Sequence, residues 1–297
     1  MKKLPFLALA VMMAAGTQSA AQDRYDWNGA IPAGATLRVA TGGGNVNVTR
    51  AQGSTARVRG QVRRPNGGDE EIRFELRRDG QDVTICALGE DADCTPQGIR
   101  NENNRGRRRA VADFTVELPA GVVIGASSGN GDVAVSGATA AVRAASGNGS
   151  VRVDEGATEV SASSGNGSVR VQGARSAVNA SSGNGRIDVS TAAGPVTASS
   201  GNGDIRVSMA SLRSEGDLTF SSGNGSVTVV LPENFGAELD ATTGSGSIES
   251  AFAVTTVGRI GSGRLRGTIG GGGRKLRIST GNGRIALQRQ GSSALVR

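Results

Sequence analysis

The feature that most constrains the fold is a Gly-Asn-Gly triplet that returns on a fixed period. GNGDVAV begins at Gly129, GNGSVRV at Gly147 and Gly165, GNGRIDV at Gly183 and GNGDIRV at Gly201, each 18 residues after the last. Related units begin at Gly223, Gly244, Gly261 and Gly281, with spacings of 22, 21, 17 and 20, and an outlier, GGGNVNV, begins at Gly42. Two apolar residues two apart follow each triplet of the regular run: Val133 and Val135, Val151 and Val153, Val169 and Val171, Ile187 and Val189, Ile205 and Val207. Such alternation places both on one face of a strand. A second pair follows, as in Val142 and Ala144, Val160 and Ala162, Val178 and Ala180, Val196 and Ala198. Each unit therefore reads as strand, bend, strand, triplet turn, and this period leaves no room for a crossover helix.

One such unit cannot bury its own apolar face, whereas stacked units share one. The pattern predicts an all-β fold: a flattened two-sheet β-solenoid, β-helix-like, over residues 122–290, with nine rungs making a rod of roughly 40 Å at a spacing of about 4.8 Å. Glycine at the turn is expected to supply positive φ, and asparagine tolerates left-handed geometry better than most residues. Asn130, Asn148, Asn166, Asn184, Asn202, Asn224 and Asn282 are expected to stack as a structural ladder, hydrogen-bonding from rung to rung. In the outward column Asp188 falls between Arg170 and Arg206, which relieves like-charge repulsion. Residues 22–121 also alternate, with an Asp79-Gly80 hairpin signal between FELRR and QDVTI, and read as a β-rich cap over an otherwise open sheet end. Residues 291–297 form a tail.

Residues 1–21 read as a secretory leader. Lys2 and Lys3 precede a short apolar run, Leu4 to Ala15, and Ser19-Ala20-Ala21 offers a small-residue cleavage site. Losing the two lysines takes the formal charge from +7 to +5, and every remaining basic residue except Lys275 is arginine. The expected location is the periplasm, cell surface or exterior of a bacterium, with no transmembrane segment in the mature chain. A basic excess there fits anionic envelope polysaccharide, or serves solubility alone. Aromatic residues make up only 3% of the chain, which argues against stacking platforms and against nucleic acid as partner. In an oxidising compartment Cys86 and Cys94 can close a short disulfide; a reduced pair is the alternative.

Chemistry has few footholds. The triplets lack the following helix of a dinucleotide fingerprint. Arg186 stands where a calcium roll would want an acid, so neither metal nor cofactor is expected. With no histidine, Ser-His and Cys-His pairs are excluded. Asp132, Asp188 and Asp204 can be proposed as glycosidase-like acids, but they lie on charge-balanced faces without aromatic subsites, and solvated surface carboxylates are the ordinary explanation. The segment 95–110, TPQGIRNENNRGRRRA, has no apolar periodicity and gathers Arg105, Arg107, Arg108 and Arg109. Such a cluster suits phosphate or carboxylate groups, or is a solvated loop.

The opening DWNGAIPAGATLRVATGGGNVNV, the strand-ending FTVELPAGV, the serial SSGNG units, VVLPENFGAEL and the final KLRISTGNGRIAL together resemble the putative-adhesin family of bacterial β-strand-repeat proteins, a domain of unknown function. The resemblance implies an envelope or cell-surface β-solenoid and carries over no catalytic residues. The expectation is a non-enzymatic exported protein that binds a surface polymer or a surface protein in the manner of an adhesin. A periplasmic interaction scaffold in envelope-stress signalling is the alternative, and a polysaccharide-active β-helix enzyme a third. The cysteine pair and the Arg-rich loop stand apart from the repeat pattern.

Overall fold

The computed structural model describes residues 23–67, 71–101, 110–191, 194–211, 216–256 and 263–291. Among these there is no α-helix, and Pro65–Gly67 forms one short 3-10 turn. Alternation drives the architecture. Val169–Ala174 buries Val169 and Val171 and exposes Arg170, while Val178–Ser182 buries Val178, Ala180 and Ser182 and exposes Asn179 and Ser181. Each rung sends its two strands to two different sheets, one of 12 and one of 13 strands, whose buried faces meet. The constant period sets the register. Val151, Val169 and Ile187 lie side by side in one sheet, and Val160, Val178 and Val196 in the other. Small Val and Ala side chains fill the interior, so the two sheets approach closely and the solenoid has a packed core instead of a lumen.

Ten rungs stack in parallel among the described residues. The outermost pairs Asp82–Leu88 with Val111–Leu118, and the next pairs Thr36–Thr41 with Val46–Arg50. Six rungs then follow in chain order, from Val123–Ser128 and Val133–Ser136 to Leu218–Ser222 and Val227–Leu231. Rung order and chain order part company at both ends. The outlier at Gly42 is a full member of the stack, so residues 36–50 belong to the solenoid although they fall within the stretch expected to cap it. The final unit, Lys275–Asn282 with Ile285–Arg289, inserts between the Gly223 rung and the Gly244 rung.

The unit expected at Gly261 is not a rung. Arg264–Ile269 runs antiparallel to Ala237–Ser245, and Val254–Thr255 runs antiparallel to it in turn. This reversal sets Arg264 and Arg266 beside Asp240, at 3.3 and 2.7 Å.

Aromatic residues close the ends of the stack. At one end Arg24–Ala30 and Thr55–Arg63 extend one sheet antiparallel, and Arg73–Asp79 extends the other through the hairpin at Gly80, whose φ is +59°. Tyr25 stacks on Phe74 at 5.0 Å, and Phe74 meets the edge of Phe114 at 5.8 Å. At the other end Phe235 and Phe252 meet at 6.2 Å, with Arg274 and Arg289 over their rings. These aromatic side chains cover sheet ends that would otherwise expose apolar core, while Phe220 is buried within the stack.

Candidate binding surfaces

The triplet corner is tied from rung to rung by two kinds of side chain. Asn148 Nδ2 donates to Asn130 Oδ1 at 2.6 Å, and the same bond recurs from Asn166, Asn184, Asn202, Asn224 and Asn282, each to the asparagine below, at 2.6–2.7 Å. At the head of the series Asn130 Nδ2 reaches Gly42 O at 3.4 Å. A second, buried series runs behind it. Ser146 Oγ donates to Gly131 O at 2.7 Å and accepts the Gly149 N–H at 2.8 Å, and Ser164, Ser182 and Ser200 repeat the arrangement. These serines satisfy corner backbone groups that stacking removes from water. Sequence reasoning passed over them, although a serine immediately before each Gly-Asn-Gly was visible in every regular unit.

The glycines of this corner are required for a different reason from the one expected. None of Gly129, Gly131, Gly147, Gly149, Gly165, Gly167, Gly183, Gly185, Gly201 or Gly203 has positive φ, nor do the asparagines between them. A Cβ on Gly147 would lie 2.4 Å from Gly129 O, and one on Gly149 would lie 2.2 Å from Gly131 O. Close approach of like corners, not left-handed backbone, excludes a side chain there. Positive φ occurs at the opposite corner, where Gly137, Glu155 and Gly173 stack with φ of 68°, 55° and 68°.

The two outer faces differ in character. On one sheet Arg170 pairs with Asp188 and Arg186 with Asp204, each at 3.5 Å, and Arg152 bonds Asp154. Asp132 and Asp204 also accept backbone N–H groups of the next rung, from Ser150 at 2.7 Å and Ser226 at 2.9 Å. Asp132 and Asp204 lie four rungs apart, about 19 Å at ~4.8 Å per rung, well beyond the separation of a glycosidase pair. The other sheet presents Ser161 and Ser163, Asn179 and Ser181, Thr197 and Ser199, Thr219 and Ser221, an uncharged strip of hydroxyl and amide groups. Among the described residues no cluster of acids, cysteines and histidines has the arrangement of a metal site.

Cys86 and Cys94 form a disulfide with Cα atoms 5.8 Å apart. It lies in a small apolar cluster with Ala40, Leu88, Ala92 and Ile99. The bridge ties Asp82–Leu88 to the hairpin of Ala92–Thr95 and Gly98–Asn101. The hairpin follows Leu88, where inner rungs have a triplet turn. Arg105, Arg107, Arg108 and Arg109 lie outside the described residues. Of the insertion at Met209–Glu215, Met209 is fully buried and Ser211 is described, while 212–215 lie outside the described residues. No helix among the described residues is long and apolar enough to cross a membrane.

Parallel rungs tied at one corner by stacked amides define a β-solenoid with a filled interior. The chain belongs to the family described as Toastrack DUF4097, whose profile matches residues 45–288. Solved structures of similar course include a putative adhesin from Bacteroides fragilis, 12% identical, covering 90% of this chain and 96% of that one at a TM-score of 0.45. A putative cell adhesion protein from Clostridium sporogenes is 13% identical, covering 90% and 100% of the two chains at a TM-score of 0.27. Identities and superpositions this low carry no information about function. The comparison with curated proteins finds no match.

Proposed function

We propose that this protein is a non-enzymatic, exported envelope protein that uses the outside of a rigid rod to hold an anionic surface polymer. The observation that carries the reading is the filled interior: Val, Ala and Ile side chains occupy the space between the sheets, so recognition falls to the outer faces and to what is attached to them. The leader-like residues 1–21 and the arginine-dominated charge support export and an anionic partner. In this reading the guanidinium groups of Arg105, Arg107, Arg108 and Arg109 pair with phosphate or carboxylate of the polymer. The neighbouring carboxylates serve the fold, as the Asp132 and Asp204 bonds to backbone N–H groups illustrate.

The test is a binding series with the mature protein, using an acidic polysaccharide, a neutral one of similar size and bacterial envelope extract. The expected result is retention on the acidic polymer that falls with salt and drops when Arg105, Arg107, Arg108 and Arg109 are changed together to alanine. Equal retention on the neutral polymer, or turnover of either one, contradicts the reading.

A further inference from the structure

Every amide of the ladder belongs to an Asn-Gly pair, and this dipeptide carries a chemistry of its own. The backbone nitrogen of the glycine, its proton taken by solvent base, bonds to the asparagine Cγ; the Cγ–Nδ2 bond breaks and ammonia leaves. Water then opens the five-membered imide at either carbonyl and leaves aspartate or isoaspartate, with nothing oxidised or reduced. Glycine favours the step because no Cβ hinders the attacking nitrogen. All seven ladder asparagines are exposed, so water reaches each of them.

We propose that the ladder is a graded set of self-modification sites in which Asn130 converts first and Asn148, Asn166, Asn184 and Asn202 are protected by their neighbours. The grading follows from what must break before the ring can close. At Asn148, Nδ2 donates to Asn130 and Oδ1 accepts from Asn166, while the attacking nitrogen, that of Gly149, donates to Ser146 Oγ at 2.8 Å. Asn166, Asn184 and Asn202 have the same three bonds, with the nitrogens of Gly167, Gly185 and Gly203 held by Ser164, Ser182 and Ser200.

Asn130 lacks two of the three. Its Nδ2 has only the 3.4 Å contact to Gly42 O, and Ser128 Oγ, which donates to Gly44 O, takes no bond from Gly131. The Gly131 N–H has no acceptor among the described residues. Two sites fall between these extremes. Asn224 keeps both amide bonds although Gly225 N has no acceptor among the described residues. Asn282 has no following asparagine, because Ser245 occupies the next rung, but Gly283 N donates to Ser245 O at 2.9 Å. The local sequences, GNGD at Asn130 and GNGS at Asn148 and Asn166, are nearly alike, so the grading comes from the stack.

The experiment incubates the mature protein in mildly alkaline buffer, folded and in urea, and follows each Asn-Gly peptide by mass mapping with isoaspartate quantified. In the folded protein Asn130 is expected to convert at least about fivefold faster than Asn148 to Asn202, the least that two lost hydrogen bonds imply. In urea the rates are expected to converge. Ser146→Ala is expected to raise the rate at Asn148 and leave Asn184 unchanged. Equal folded-state rates at Asn130 and Asn166 overturn the proposal, as does a gradient that survives urea, since that would place its cause in local sequence. If Ser146→Ala perturbs folding, the comparison of folded and urea rates in the unaltered protein decides alone.

Discussion

In the regular run, Gly167 at the triplet corner and Gly173 at the opposite corner are glycine for different reasons. At the triplet corner like carbonyls and glycines approach so closely that a Cβ on Gly167 would stand 2.2 Å from Gly149 O, yet the backbone keeps negative φ. At the opposite corner Gly173 has φ of +68°, but the nearest atom to its would-be Cβ is 3.4 Å away. Gly167 is constrained by its neighbours and Gly173 by its own backbone, while Gly194, at the opposite corner one rung on, is crowded by Ser176 O at 2.0 Å. Chain length follows the same division. Across the triplet corner the distance from the buried Ser or Thr to the next buried apolar residue is five positions in Thr41 to Val46, Ser164 to Val169, Ser222 to Val227 and Thr280 to Ile285. The opposite bend lengthens freely, and the 22-residue spacing arises there, through Met209–Glu215. Corners that stack by side-chain ladders fix their length, and corners that do not can absorb insertions.

Several substitutions separate these two regimes. Gly167→Ala forces adjacent rungs apart and is expected to cost about 3 kcal/mol, the upper range for overpacking, read as a lowered urea midpoint. Ser164→Ala leaves Gly149 O and Gly167 N without their buried partner and should cost about 2 kcal/mol. At the other corner the sign reverses. Glu155, the only non-glycine with positive φ among the described residues, gives up left-handed strain on Glu155→Gly, expected to stabilise by about 1 kcal/mol. A destabilised Glu155→Gly would show that its side chain, and not its backbone, holds that bend.

Acid provides the smallest contrast, between ends and middle. The Thr36 N–H, together with Arg38, holds the Asp82 carboxyl below its ordinary value, and bonding to Arg266 and Arg264 does the same for Asp240. At Asp113 burial pushes upward, but Arg63 and the Asn45 N–H outweigh it and the carboxyl is held low. A depressed carboxylate stabilises the fold above its ordinary value of 3.8, and that contribution is lost as pH falls below it. All three lie in the terminal parts of the stack. Hydrogen exchange below that pH should therefore rise at the ends before the central rungs; simultaneous loss of protection would remove the distinction.

Much of the solenoid was legible because a period of two within a strand and 18 between rungs leaves little freedom. The order of the last rungs was not, since GSGSIES at Gly244 and GNGRIAL at Gly281 carry the same local alternation. The clue lay in the ladder. Asn282 continues the amide series from Asn224, whereas Ser245 has no amide to offer and sits outside it. The antiparallel course of Arg264–Ile269 depends on pairing with Ala237–Ser245 far upstream, which no local pattern reports. The candidate surfaces were legible in part: the arginine cluster stands out by composition, while the contrast between an ion-paired face and an uncharged hydroxyl strip on four strands of the other sheet appears only once the strands are assigned to their sheets.

The claim that the triplet corner is a stacking device, and not a loop free to take up a ligand, is tested most directly by lengthening each corner of one rung. One glycine would be inserted between Asn166 and Gly167, and in a second variant between Glu155 and Gly156, with urea unfolding followed for both. The account predicts a loss of at least about 3 kcal/mol for the first, where register with both neighbours fails, and less than about 1 kcal/mol for the second, where a longer bend adds only a little closure entropy. Equal losses at the two corners, or a tolerated insertion beside Asn166, would contradict it.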